Sequence, residues 1–358
     1  MNDAADWKIY QGDRVPKDDI ERLPAPPPWR PRRCESWLGQ EREWPKNPDD
    51  EKALPPAMLH RGKTFHSTKD MVESVNAAIY LRRPLLVTGK PGSGKSSLID
   101  AVAYELRLGA PLRWAVTSRS SLHDALYQYD AIGRLQKSGQ VVTSPVSDEA
   151  KSSVDEIGKF ITLGPLGTAL LPTKRPRALL IDEIDKGDID LANDLLNVFE
   201  EGEFEIPELK RLGTEKGVEV FTSDRKQERA FVKGGVIQCC EFPVMVLTSN
   251  GEREFPAPFL RRCLRLQMPN PTGSLPEDDN DDWKRLKAIV NLHFGPRERD
   301  EAQDVIRTFE EQAKSKDFAT DQLLNAIYFV MASKVPLGSS DRDTVIAKLR
   351  QELVSAFG

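Results

Sequence analysis

The residues Gly89-Lys90-Pro91-Gly92-Ser93-Gly94-Lys95-Ser96 fit the pattern G-x-x-x-x-G-K-[ST], whose chemistry is the capture of a nucleoside triphosphate. Glycines let main-chain N–H groups wrap the phosphates, a lysine reaches the β- and γ-oxygens, and the serine hydroxyl can hold Mg²⁺. The pattern assigns Gly89, Pro91, Gly92, Ser93, Gly94, Lys95, Ser96 and Ser97 to nucleotide binding, with Ser96 also a metal ligand. Further along, Ala178-Leu179-Leu180-Ile181 ends in Asp182-Glu183, two carboxylates at the tip of an apolar strand. After a phosphate loop such a pair has separate tasks: Asp182 holds Mg²⁺ through water, and Glu183 activates the attacking water. A third apolar run, Val244 to Thr248, ends in Ser249-Asn250, whose neutral amide near the same sheet edge can orient that water. Then comes Phe259-Leu260-Arg261-Arg262-Cys263. An adjacent arginine pair serves either as a solvated or salt-bridged face, or as cations reaching a neighbour's phosphate.

These groups converge only if their strands lie side by side. Apolar runs at 84–88, 112–117, 178–182, 244–248 and 264–268 are of strand length, and helical patterns separate most of them. The alternation predicts an α/β fold with a mostly parallel, five-stranded sheet and helices on both faces. The helix from Ser96 carries apolar residues at 98, 99, 102, 103 and 106 and is expected to stop at Gly109. Polar residues 136–158 read as a flexible insertion loop, and 203–235 as an extended, hairpin-like excursion. After the turn-rich 269–280, helical patterns at 281–294, 297–313, 320–332 and 341–356 predict a small helical domain. The organisation is an arm (1–58), a nucleotide-binding αβα domain (59–270) and a helical lid (271–358).

The arm holds 10 of the 26 prolines and four of the six tryptophans: Trp7, Trp29, Trp37 and Trp44. Dense proline enforces extended backbone, and the indoles present apolar area that a free coil would leave wet, so docking on the body or on a neighbour is expected. Four cysteines (Cys34, Cys239, Cys240, Cys263) neither staple a fold this long nor show zinc spacing, which predicts reduced, mostly buried thiols. Four scattered histidines form no ligand pair. No apolar run approaches the ~20 residues of a membrane helix, and the acidic N-terminus lacks the features of a secretory signal, so a cytoplasmic protein without a membrane span is expected. A formal charge of -5 gives no global attraction to nucleic acid.

Taken in order, these segments resemble the AAA+ ATPases, and within them the MoxR-like branch, over roughly residues 60–335. IDEIDKGDIDLANDLLNVFEEGEFEI is similar to that branch's Walker B segment with its following helix and hairpin. LTSNGEREFPAPFLRRCLRLQMPNP resembles its sensor 1 and arginine-finger stretch, and GPLGTALLP (164–172) the segment upstream of Walker B. The resemblance implies an αβα P-loop domain with a helical lid, and ring assembly, commonly hexameric, with ATP between protomers. Lys95 and Ser96 match Walker A, Asp182 and Glu183 Walker B, and Asn250 sensor 1. The finger arginine of the family precedes a hydrophobic or Cys residue, which selects Arg262 over Arg261. Two departures stand out: Asp321 lies near the usual sensor 2 arginine, and Asp185-Lys186 replaces the more usual Asn-Arg.

The expected function is therefore ATP hydrolysis, with ATP and Mg²⁺, by a chaperone-like ring that remodels or assembles a protein partner. Such relatives act with proteins carrying a von Willebrand A domain, and some sit in bacterial conflict or signalling systems. The D-x-S-x-S metal pattern of that partner domain is absent from this chain, so such a partner acts in trans. The alternatives are a DNA-processing motor, which would need a local basic channel, and a nucleotide-gated scaffold with little turnover. A small-molecule kinase would need no finger arginine.

Overall fold

Five apolar segments form one sheet in the order β11-β1-β10-β5-β2: β1 (Leu85–Thr88), β2 (Leu112–Ala115), β5 (Ala178–Asp182), β10 (Val244–Ser249) and β11 (Leu264–Gln267). Every pairing in it is parallel, so the sheet is wholly parallel. The computed structural model describes residues 7–30, 44, 51–140, 157–212, 217–225, 228–269, 281–295, 306 and 320–331. Side chains alternate across a strand, and both faces here are covered. Leu85 and Val87 enter one core and Leu86 the other; Leu180 and Val246 join the first, Ile181 and Leu247 the second.

The first core lies under α1 (Pro56–Thr64), α2 (Lys69–Leu81) and α3 (Ser97–Glu105). The second is closed by α4 (Leu122–Leu126), α6 (Pro165–Ala169) and α7 (Ile189–Glu201), together with Phe259 of α9 (Ala257–Arg262). The remaining described helices are α5 (Ala131–Gln140), α8 (Pro207–Lys210), α10 (Asp281–His293) and α11 (Thr320–Met331). Among the described residues no helix is long and apolar enough to cross a membrane.

Several local expectations are corrected. The helix after the phosphate loop ends at Glu105, before Gly109, because Arg107 (φ 52) and Gly109 (φ 76) turn the chain towards β2. Residues 136–140 are the end of α5, not a loop; 141–156 lie outside the described residues. The excursion is more organised than a single hairpin. β6 (Glu203–Glu205) pairs antiparallel with β9 (Val236–Gln238), and β7 (Val218–Phe221) with β8 (Arg229–Val232). The second sheet, β3-β4-β7-β8, adds β3 (Tyr127–Tyr129) and β4 (Ile161–Leu163), which flank residues 136–158 in sequence. Pairing strands this far apart in sequence leaves no local signal. Of the lid patterns, α10 and α11 are described, whereas 297–313 (apart from residue 306) and 341–356 lie outside. Cys239 and Cys263 are buried thiols, but Cys240 is disulfide-bonded, contrary to the expectation of reduced thiols; Cys34 lies outside the described residues. Pairing depends on proximity in space, which spacing along the chain does not report.

Residues 7–30 of the arm run along the body, held differently from the way their tryptophans suggest. Ile9 and Tyr10 are fully buried, and the Asn76 side chain accepts the N–H of both (2.7 and 3.0 Å) while donating to the Tyr10 carbonyl (2.6 Å). Glu105, at the far end of the helix that starts at the phosphate loop, accepts the main-chain N–H groups of Gln11, Gly12 and Arg14. Burial pushes the Glu105 carboxyl above its ordinary range against these donors. Trp44 stacks on Arg177 at 3.8 Å and donates to the Leu108 carbonyl. Trp7 and Trp29 remain 50% and 76% exposed, and Trp37 lies outside the described residues.

Candidate active site

Where β1 ends, the chain leaves the sheet through Gly89 (φ +152), Gly92 (φ +71) and Gly94 (φ +87), conformations open to glycine without strain. A Cβ on Gly89 would also lie 2.8 Å from Met268 Cβ. Pro91 and Gly92 form the exposed tip, and Ser97 opens α3, so the positive end of that helix sits behind Gly94, Lys95 and Ser96. The Ser93 hydroxyl is buried with no partner among the described residues.

Lys95 is 7% exposed, and its ammonium donates to the Gly89 carbonyl (2.7 Å), the Lys90 carbonyl (2.8 Å) and Asn250 Oδ1 (2.7 Å). Three acceptors match its three protons. Burial pulls its pKa below the usual lysine range, while Asp185, then Asp182 and Glu183, act in the opposite sense. The structure thus brings the tips of β1 and β10 together through Lys95 and Asn250.

The β5 tip joins the same cluster. Ser96 Oγ donates to Asp182 Oδ1 at 2.7 Å, and so does Thr248 Oγ1 at 2.6 Å. Thr248 in turn accepts the main-chain N–H of Glu183 at 2.8 Å. Glu183 occupies the left-handed region (φ 58, ψ 49), which costs a non-glycine residue roughly 1–2 kcal/mol and turns the chain sharply off the strand. Its carboxylate meets Lys186 Nζ at 2.7 Å, both side chains being over 40% exposed. Asp185 is buried, and its Oδ2 accepts the N–H of Asn250 (2.9 Å) and of Glu252 (3.1 Å), fixing the turn that carries the Asn250 amide.

Arg262 stands apart from this cluster. It ends α9, and its Nε and Nη2 both lie 2.6 Å from Glu200 Oε1 on α7. Arg261 donates to the Ala257 carbonyl on its own helix. The buried Arg285 of α10 approaches the phosphate loop: its Nη2 would lie 3.7 Å from a Cβ on Gly94, its Nε donates to the His66 carbonyl, and it lies over the Phe65 ring at 5.7 Å. Asp321 lies within α11.

The residues fit a magnesium nucleotide. The donor set of Ser96 and Asp182 is hard oxygen, suited to Mg²⁺, which takes one or two protein ligands and completes its shell from phosphates and water. The unpartnered Ser93 hydroxyl, the glycine conformations and the buried ammonium all suit phosphate oxygens. Among the described residues no group of three or more His, Cys, Asp or Glu side chains forms a metal centre elsewhere. Sequence reasoning missed Thr248, Asp185 and Arg285 as members of the site. Thr248 directly precedes the Ser-Asn pair, so strand-tip position was its one signal; Asp185 was visible only as a departure from a pattern.

A family model described as AAA domain (dynein-related subfamily) matches residues 84–263, from the residue before β1 to the residue before β11. No curated protein matches the chain.

Proposed function

Because the chain belongs to the AAA domain family, in its dynein-related subfamily, and that family's domain is an ATPase, we propose that it is a ring-forming, MoxR-like ATPase that uses hydrolysis to remodel or assemble a protein partner. The observation that carries the catalytic part is the meeting of two hydrogen-bonded sets at the tips of β1, β5 and β10: Lys95 with Asn250, and Ser96 and Thr248 with Asp182, Thr248 also accepting the Glu183 N–H.

In this reading Lys95 exchanges its carbonyl partners for phosphate oxygens, and the loop N–H groups hold the remaining charge. Ser96 and Asp182 hold Mg²⁺, which when bound neutralises charge on the phosphates. Glu183 takes the proton of the attacking water, and the Asn250 amide, fixed through Asp185, orients that water. Arg262 serves the active site of an adjacent protomer; its distance from its own Lys95 cluster, at the end of α9 and paired with Glu200, supports a role in trans. The partner is a protein acting in trans, of the von Willebrand A-domain kind or another. The net charge of -5 supports a protein client over nucleic acid.

The test is native mass measurement with and without ATP beside ATPase assays. Glu183→Gln is expected to bind ATP, accumulate the assembled form and fail to turn over, whereas Lys95→Ala does not bind ATP. Mixing Arg262→Ala with Lys95→Ala is expected to restore activity through composite sites. An ATP-bound Glu183→Gln variant that stays monomeric would overturn the ring, and inactivity after confirmed subunit exchange would overturn the role of Arg262 in trans.

A further inference from the structure

Beside the finger helix lies an open cleft of 700 Å³ lined by Trp29, Arg30, Arg83, Glu200, Arg261 and Arg262, with Glu201 and Pro258 at its margin. Two of its lining residues, Trp29 and Arg30, come from the arm. Four guanidiniums face two carboxylates, so the cleft carries an excess of positive charge. Arg30 reports the crowding: burial first, and then the charge of Arg83, pushes its pKa below the ordinary arginine value. Arg83 also donates from Nε to the Arg262 carbonyl at 3.0 Å, tying the arm's docking site to the end of the finger helix.

The arm is not loose here. Arg30 Nη1 donates to the carbonyls of Arg82 (2.6 Å) and Phe199 (2.9 Å), anchoring the segment across α2 and α7. Trp29, next in the chain, is nevertheless 76% exposed. A firmly held main chain that presents an indole to solvent beside a cationic cleft has the make-up of a contact surface, in which Trp and Arg supply most of the binding energy.

We propose that Trp29 and Arg30 belong to the surface by which one copy of this chain grips the nucleotide-bearing edge of a second copy, the indole packing on the neighbour and Arg30 adding positive charge beside Arg262. The proposal rests on the ring reading above and adds the arm to it. Charge complementarity selects the occupant: the loops at the tips of β1, β5 and β10 carry the exposed carboxylates Asp188, Asp190, Glu252 and Glu254 and the half-buried Glu183 against the exposed cations Lys90, Lys186 and Arg253, a negative balance to which bound phosphates would add. Handing Arg262 to that edge requires Glu200 to release it, so the Arg262–Glu200 pair is the contact that assembly exchanges.

The experiment uses the full chain carrying Glu183→Gln, with Trp29 replaced by the photo-crosslinker p-benzoylphenylalanine, irradiated with magnesium ATP. A covalent dimer is expected, with the crosslink mapping to a second copy near its phosphate loop. In the otherwise native chain, Trp29→Ala is expected to raise the protein concentration for half-maximal ATPase activity at least tenfold, with melting temperature unchanged. If Trp29→Ala assembles and turns over like the parent while Arg262→Ala loses turnover, the ring reading stands and the arm proposal is overturned. If Arg262→Ala keeps full turnover and the crosslinks stay within one chain, both fall.

Discussion

Thr248 and Asp182, 66 residues apart, share a 2.6 Å hydrogen bond at the tips of neighbouring parallel strands, and the same Thr248 hydroxyl accepts the Glu183 N–H. One side chain therefore holds the Asp182 carboxylate and the main chain of Glu183. Thr248→Val keeps the shape but withdraws the hydroxyl, leaving a main-chain N–H without its partner at about 1–3 kcal/mol. Turnover is expected to fall roughly 10- to 100-fold, the equivalent of that energy, while nucleotide affinity measured without Mg²⁺ stays close to the parent's. Equal losses in both measurements would show that Thr248 supports the fold and not the carboxylate pair.

Asp185 holds the turn bearing Asn250, so in the proposed mechanism it acts through that amide without touching substrate. Asp185→Ala is expected to lower kcat by an order of magnitude or more with little change in KM. Asp185→Asn, which retains an acceptor oxygen for the Asn250 N–H, should recover much of the loss. A rise in KM with unchanged kcat would argue that Asp185 serves ground-state binding instead.

Glu105 anchors the arm through three main-chain N–H groups. Hydrogen bonds to a charged acceptor are the stronger kind, so Glu105→Ala is expected to cost on the order of 3 kcal/mol. It should also open the arm to limited proteolysis. Glu105→Gln keeps one acceptor oxygen and should be milder. Resistance of the arm to protease in Glu105→Ala, at unchanged stability, would place its anchorage elsewhere.

Cys263, between α9 and β11, is 5% exposed, and burial pushes its thiol from the ordinary 9.0 up to about 12. The folded state thus retains a proton that the unfolded chain releases. Stability is unaffected by this group below pH 9 and falls as pH rises from there towards 12. At pH 8, iodoacetamide is expected to label Cys263 only after denaturation, as read by peptide mass. Rapid labelling of the native protein would contradict the burial.

The phosphate loop was legible because all its parts lie within eight consecutive residues, where glycine freedom, the lysine and the helix start act locally. The central strands β1, β5 and β10 were legible as well, since strands buried on both faces read as unbroken apolar runs, while the edge strands β2 and β11 showed as alternating segments. Their order was not. Every such run looks alike, so nothing local reveals that β10 lies between β1 and β5. That order is what lets Lys95 reach Asn250 across 155 positions and Thr248 reach Asp182. The same holds for the arm. Composition pointed to its tryptophans, but the packing that docks it runs through Ile9, Tyr10, Asn76 and Glu105, and two of the indoles stay in solvent. Residue types and short spacings define the chemistry a segment can do. Which segments do it together is set by long-range burial and strand pairing, which exist only once the chain has folded.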